Sequence, residues 1–127
     1  MTNIAEYVDP QIKWSNEFDK LLISVIDETI KYVMGDLNAY TIFKHIEENY
    51  CCKEEIPERL KFFSSALRDL IGTGRGQMLG AASILEETIA ESLALKIGKQ
   101  FKVEPPINFP EYIGNIKKTY IFEKRLR

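Results

Sequence analysis

Apolar residues recur at three- and four-residue steps along most of the chain, which is the spacing of the buried face of an α-helix. The clearest run starts at Glu17 and stops before Gly35. Ser15 or Asn16 can cap its start, and Gly35 favours a left-handed turn at its end. The apolar stripe of this first predicted helix consists of Phe18, Leu21, Leu22, Val25, Ile26, Thr29 and Val33. Residues 1–15 lack such a period, so we expect them to form a loose lead-in.

A second and a third helix are predicted between Asp36 and Gly72. Asp36 can cap the second helix, and the residues that we expect to face inward are Leu37, Tyr40, Phe43, Ile46 and Tyr50. Residues 51–58 interrupt the periodicity, and Pro57 suits the first turn of the third helix. That helix should bury Leu60, Phe63, Leu67, Leu70 and Ile71 and should end at Gly72.

Two further helices are predicted after a glycine-rich connector, residues 72–76. The fourth helix ends at Gly98, its carboxylates Glu86, Glu87 and Glu91 should lie largely outside, and its apolar stripe is Leu79, Ala82, Leu85, Ile89 and Leu93. Residues 103–110 contain three prolines and predict an extended linker. Pro110 then suits the first turn of a final helix, with Tyr112, Ile113, Ile116, Tyr120 and Ile121 as its apolar residues.

These elements predict an all-α fold, because no segment alternates apolar and polar residues with a two-residue period. We expect a compact bundle of about five helices, in which four core helices precede a C-terminal helix. A chain of 127 residues is the size of one domain. Residues 16–98 would form its core, and residues 99–127 its Pro-rich linker and basic C-terminal helix.

The charge of the chain is nearly balanced, with a formal net charge of −2, but it is unevenly distributed. Residues 1–98 contain 10 basic and 16 acidic side chains, whereas residues 99–127 contain 7 basic and 3 acidic ones. The C-terminal part can therefore meet an acidic partner or dock on an acidic core. No apolar run approaches the roughly 20 residues that span a bilayer, and the N-terminus lacks the features of a secretory signal. We therefore expect no membrane partner and a cytoplasmic location.

The residues that most often form catalytic or metal sites are few. Cys51 and Cys52 are adjacent, so an ordinary disulfide between them would be strained, and we expect two free, reduced thiols. One histidine and no C-x-x-C spacing leave zinc without a ligand set. His45 has Ile42 rather than a glutamate three positions earlier, so the helical di-iron motif is not met. We predict a non-enzymatic protein with no catalytic, metal or cofactor site.

Two groups of residues are candidates for contact with a partner. Gly76, Gly80 and Ser83 place small side chains together on the fourth helix, which allows another helix to approach closely within the fold or across a dimer. The final helix interleaves basic residues with aromatic ones. The basic residues are Lys117, Lys118, Lys124, Arg125 and Arg127, and the aromatic residues are Tyr112, Tyr120 and Phe122. Such a pattern can bind nucleic acid through phosphate contacts and base stacking, or it can pack its aromatic residues on the bundle.

Several short motifs between Ile26 and Gly98 resemble a family of small archaeal helical domains, the Nitrosopumilus output domain, type five. The motifs are residues 26–28 (Ile-Asp-Glu), 42–47 (Ile-Phe-Lys-His-Ile-Glu) and 55–57 (Glu-Ile-Pro), then Phe63 with Ala66 and Leu67, and the Gly72-x-Gly74 turn. The whole chain is also similar to crenarchaeal helical proteins of unknown function. The resemblance implies an output or interaction module of signalling proteins, with no enzyme activity.

Together these observations favour a helical interaction module that self-associates, as a dimer, and binds another protein. A nucleic-acid-associated protein that binds through its basic C-terminal helix is the alternative. An enzyme or small-ligand carrier is the third hypothesis, and it would require a concave pocket with convergent polar groups.

Overall fold

The computed structural model describes residues 9–72, 81–98 and 107–126. Within these ranges the chain forms five α-helices and one 3₁₀ helix that pack together, with no β-strand. The helices are α1 (Pro10–Met34), α2 (Asp36–Asn49), the 3₁₀ helix (Lys53–Glu58), α3 (Leu60–Ile71), α4 (Ala81–Lys96) and α5 (Phe109–Arg125). The predicted all-α bundle is confirmed.

Helix α1 begins at Pro10, five residues before Ser15, the first of the two predicted caps. The side chain of Asp9 caps it, since its Oδ1 accepts a hydrogen bond from the backbone N–H of Gln11 at 2.8 Å. Pro10 suits the first helical position because its missing N–H would have no helical partner there. The predicted loose lead-in is therefore wrong for residues 10–15, and residues 1–8 lie outside the described part. The apolar pattern did not reveal the first turns of α1, because their one aliphatic residue, Ile12, is exposed and does not extend the buried stripe.

Gly35 separates α1 from α2 with a φ of 87° and a ψ of 161°, a conformation that is essentially restricted to glycine. Its N–H donates to the carbonyl of Lys31 at 2.9 Å and closes the last turn of α1. The next residue, Asp36, does not cap α2 as predicted. It lies inside the first turn instead, where its negative charge favours the helix N-terminus.

The 3₁₀ helix contains Pro57, so the prediction that this proline starts the third helix is wrong. The carboxylate of Glu55 accepts from the backbone N–H of Cys52 at 3.2 Å, which closes a separate capped turn before α3. Arg59 then takes a non-helical conformation, and α3 starts at Leu60. Its end at Gly72, with a φ of 86°, is as predicted.

Helix α1 packs against α2, α4, α5 and the 3₁₀ helix, while α3 packs against α2, α4 and α5. Helix α5 is thus docked on the bundle, and it contributes Phe109, Ile113 and Ile116 to the interior. Further large side chains that are fully buried are Phe18, Leu22, Ile26, Ile30, Ile46, Ile56, Phe63, Leu67, Leu85, Ile89 and Leu93.

The buried face of α2 differs from the predicted one. Leu37 and Tyr40 are 79% and 64% exposed, whereas Phe43 and Ile46 are buried as expected. Ala39 and Ile42 complete the inward face. Because Ala39 is small, α2 can lie close to its neighbours, and the face is rotated away from Leu37 and Tyr40.

Candidate interaction surface

The small-residue face of the fourth predicted helix is only partly described. Gly76 and Gly80 lie outside the described residues. Ser83 lies in the first turn of α4 and is half-buried.

Two of the predicted contact residues of α5 hold this helix on α1. The Nζ of Lys117 donates to Oδ1 of Asp19 at 2.9 Å and lies 5.9 Å from the centre of the Phe18 ring. The ring of Tyr120 lies 5.6 Å from that of Phe18, and its hydroxyl lies 3.4 Å from a carboxylate oxygen of Glu17. Lys117 and Tyr120 therefore serve the docking of α5.

Another side of α5 combines cationic and large apolar groups in solvent. Lys118, Phe122, Arg125 and Leu126 follow one another at helical spacing, and we call them the α5 outer face. Phe122 and Leu126 are 58% and 72% exposed. Lys118 and Arg125 are also exposed. This surface shares Lys118, Phe122 and Arg125 with the predicted basic and aromatic pattern, and Leu126 is its new member.

Two neighbours define the position of the α5 outer face on the bundle. Lys124 is half-buried, and its Nζ lies 5.4 Å from the centre of the Tyr120 ring. With its oxygen turned toward α5, the side-chain amide of Gln11 accepts from Nε of Arg125 at 3.0 Å. The outer face therefore lies beside the first turn of α1.

A groove of about 700 Å³ lies between α1, α2 and the 3₁₀ helix, and we call it the α2 groove. The exposed ring of Tyr40 and the buried ring of Phe43 supply its apolar surface. Charged residues supply the rest of its lining, namely Asp27, Lys31, Asp36, Lys44, Glu47, Glu48 and Lys53.

Asp27 organises the lysines of the α2 groove. Its two carboxylate oxygens lie 2.7 Å from Nζ of Lys53 and 2.9 Å from Nζ of Lys31. Burial alone would raise the pKa of Asp27, but hydrogen bonds and charge from the two lysines outweigh burial and lower this pKa below its ordinary value. Lys53 also lies 4.3 Å from the centre of the Phe43 ring, a cation–π distance.

The remaining carboxylates of the α2 groove are not paired in this way. Asp36, Glu47 and Glu48 are exposed, and none of them forms a salt bridge within the described part of the chain. Lys44 is the one lysine of the lining outside the Asp27 cluster. The groove therefore presents an acidic rim around two aromatic rings.

A second groove, of about 540 Å³, lies between α3 and the start of α5. Its lining includes Lys61, Ser64, Arg68 and Asn108. Arg68 and Ser64 are engaged by the buried carboxylate of Glu86, and the side chain of Asn108 caps α5. Most of its polar groups therefore already have partners within the fold, which disfavours this groove as an anion site.

Both thiols are free, and neither has the surroundings of a reactive cysteine. Burial raises the pKa of Cys51, and a hydrogen bond to Glu55 raises the pKa of Cys52. A raised pKa lowers the thiolate fraction at neutral pH, and the thiolate is the nucleophile. Among residues 9–72, 81–98 and 107–126, no group of three or more histidine, cysteine or acidic side chains is placed to hold a metal ion.

None of the described helices combines the length and apolarity needed to cross a membrane. Comparison of the chain with protein-family models, with curated proteins and with solved structures finds no match in any of the three. The resemblance to the archaeal output domain therefore stays a prediction.

Proposed function

We propose that this protein is a non-enzymatic, helical protein-binding module that contacts its partner through the α5 outer face. The observation that carries the proposal is the division of α5 into two apolar sides. One side, Phe109, Ile113 and Ile116, is buried in the bundle, while Phe122 and the C-terminal cap residue Leu126 remain exposed on another.

The energetics of the α5 outer face favour a protein partner. Burying a leucine or phenylalanine side chain contributes about 1.5–3 kcal/mol, so Phe122 and Leu126 together can supply several kcal/mol to a contact. Aromatic and arginine side chains are enriched at protein interfaces relative to the rest of the surface, and Arg125 accompanies Phe122 on this face. The cations Lys118 and Arg125 would also favour an acidic partner surface.

An adaptor or signalling output role in the cytoplasm agrees with this proposal. Such a role requires a rigid scaffold that displays a contact surface and requires no chemistry. The docking of α5 through Lys117 and Tyr120 supplies the rigid support, and the raised pKa values of the two thiols disfavour a cysteine nucleophile.

Nucleic-acid binding through α5 is the alternative. The exposed side chains of Lys118, Phe122 and Arg125 could supply the phosphate contacts and the base stacking that it requires. It has less support than the pattern of residues suggested. Lys117 is paired with Asp19, and Tyr120 is packed on Phe18, so one of the cations and one of the rings that the pattern offered are engaged within the fold.

Affinity capture from native lysate, with and without nuclease, tests the proposal. The bait should be the full chain, because removing α5 would also remove three buried core residues. We expect the wild type to recover partner proteins even after nuclease treatment, and the double variant Phe122→Ala/Leu126→Ala to recover none of them. Leu95→Ala is the matched control, since Leu95 is 73% exposed on α4 and should not affect recovery. Recovery of nuclease-sensitive material alone, with a steep dependence on salt, would favour the nucleic-acid alternative.

A further inference from the structure

We propose that the α5 outer face of one copy of this chain docks into the α2 groove of a second copy. The inference rests on the proposed protein-binding role and names the chain itself as a partner of that surface. It is carried by three features of the described residues: charge, apolar content and the positions of the two surfaces.

The charges of the two surfaces are complementary. The α5 outer face carries the exposed cations Lys118 and Arg125. The α2 groove carries Asp36, Glu47 and Glu48, which form no salt bridge within the described residues. Asp27 holds Lys31 and Lys53, so Lys44 is the one lysine of the lining outside that cluster. Docking would therefore bring two exposed cations to carboxylates that have no salt-bridge partner within the described residues, which steers association and fixes its register.

The apolar parts of the two surfaces are complementary as well. Phe122 and Leu126 are one helical turn apart and can enter a groove as adjacent anchors, which is the mode in which an amphipathic helix occupies a hydrophobic groove. The α2 groove has a volume of about 700 Å³, and its lining includes the exposed ring of Tyr40 beside the largely buried ring of Phe43. A volume of this size lies within the range of ordinary binding pockets, about 300–1,000 Å³.

The two surfaces of one chain cannot meet, because they lie at different levels along α1. Arg125 lies beside Gln11, whereas the lining of the α2 groove starts at Asp27. Sixteen residues of helix separate these two positions along α1, which at about 1.5 Å per residue is about 24 Å. Helices α2 and α5 also make no contact within the described part of the chain. A second copy is required to bring the surfaces together.

Each contact of this kind joins two different surfaces, so every copy offers one α5 outer face and one α2 groove. Two such contacts in a twofold pair give a dimer, and single contacts in series give a chain. In both cases the average mass rises with protein concentration and falls as salt screens the charges.

Sedimentation velocity on charge-reversed variants tests the proposal. The α5 variant is Lys118→Glu/Arg125→Glu, and the groove variant is Glu47→Lys/Glu48→Lys. We expect the wild type to associate with rising concentration, and each variant alone to be monomeric. An equimolar mixture of the two variants should regain the mass of the wild-type assembly, because the reversed α5 face then meets the reversed groove. The control Lys20→Glu/Lys61→Glu changes two exposed lysines elsewhere and should associate like the wild type.

Three results would overturn the proposal: a wild type that is monomeric at every concentration, variants that associate unchanged, or a mixture that stays monomeric. The circular dichroism of each variant shows whether the helices are intact, and the mixing experiment remains informative for any folded pair. The proposed function has a separate readout. A monomeric wild type whose capture of a different protein is abolished by Phe122→Ala/Leu126→Ala removes self-docking and leaves the protein-binding role in place.

Discussion

Glu86 shows how one carboxylate can be accommodated between two helices. Its side chain is buried, with the whole residue only 1% exposed, yet both carboxylate oxygens have partners from α3. Nη2 of Arg68 lies 2.8 Å from one oxygen, and the hydroxyl of Ser64 donates to the other at 2.5 Å. A second nitrogen of Arg68 donates to the hydroxyl of Ser64 and completes the network. Full satisfaction of this kind is what allows a charge to be buried.

The prediction that Glu86 lies outside the apolar stripe of the fourth helix is wrong for this reason. The apolar period of a single helix carries no information about neighbouring helices, so it predicts that a carboxylate faces solvent. The partners of Glu86 lie 18 and 22 positions earlier in the chain, on a different helix. The position of Arg68 opposite Glu86 follows from packing, which the sequence alone does not show.

Arg68→Met tests the cost of leaving the Glu86 carboxylate unpaired. Breaking a buried ion pair by removing one partner costs about 3–5 kcal/mol. Because the side chain of Arg68 is 35% exposed, we expect a smaller loss of unfolding free energy, about 2–3 kcal/mol. Urea denaturation measures it, with Lys61→Met as the control on the exposed side of α3. The double variant Arg68→Met/Glu86→Leu also removes the unpaired carboxylate, so it should regain much of the lost unfolding free energy. A double variant as unstable as Arg68→Met would contradict the pairing.

Asp27 gives a prediction of pH dependence. Its pKa in the folded protein lies below the ordinary value of 3.8, so its ion pairs stabilise the fold above that pH and lose this contribution as pH falls through the folded pKa. Asp27→Asn should lower the unfolding free energy by about 1 kcal/mol at neutral pH. The difference from the wild type should shrink in acid.

Urea denaturation at neutral pH and at a pH below 3.8 measures this difference. Glu48→Gln is the control, because Glu48 is exposed and forms no salt bridge within the described part of the chain. A difference that stays constant across this pH range would contradict the assigned role of the Asp27 carboxylate.

At the scale of the element, one side of α5 packs into the core of the bundle, and another side is exposed to solvent and available for a contact. The sequence predicted the buried positions Ile113 and Ile116, because they follow the helical period. Pro110 lies in the first turn of α5 as predicted, but Phe109, the residue between the Asn108 cap and Pro110, was not included among the apolar residues of the helix. The sequence analysis named Phe122 in the basic and aromatic pattern but left open whether this ring packs on the bundle or meets solvent, since the identity of an aromatic residue does not show which side of a helix is buried.

The two sides of α5 should respond differently to truncation of a large side chain. Ile113→Ala removes a buried side chain, and we expect it to lower the unfolding free energy by about 2–4 kcal/mol. Phe122→Ala changes an exposed position and should stay within about 0.5 kcal/mol of the wild type. Chemical denaturation of the two variants side by side measures this contrast. Equal destabilisation would mean that Phe122 belongs to the core.

Helix α2 shows the limit of apolar periodicity. Its apolar residues can be read as two overlapping stripes, one through Leu37 and Tyr40 and one through Ala39 and Ile42. The larger side chains favoured the first stripe, but the bundle buries the second. Short distances between helices favour small residues such as Ala39, and that preference depends on the neighbours of α2.

At the scale of the whole molecule, the class of the fold and the order of its helices could be predicted, because the apolar period and the glycines that end helices are local signals. Gly35 and Gly72 end helices as expected. The features that were missed depend on contacts between elements: the burial of Glu86, the rotation of α2 and the separate turn around Pro57. The candidate surface was partly predicted, since Lys118 and Arg125 are exposed and Lys117 and Tyr120 are engaged in docking α5.

The α5 outer face is, in our proposal, a binding surface that is separate from the side of α5 buried in the bundle. The most direct test measures, for the same variant, both its stability and the protein that it recovers from nuclease-treated lysate. We predict that Phe122→Ala/Leu126→Ala unfolds within about 1 kcal/mol of the wild type and recovers no partner, while Leu95→Ala matches the wild type in both respects. Recovery by the folded double variant of the same proteins in the same amount would contradict the claim.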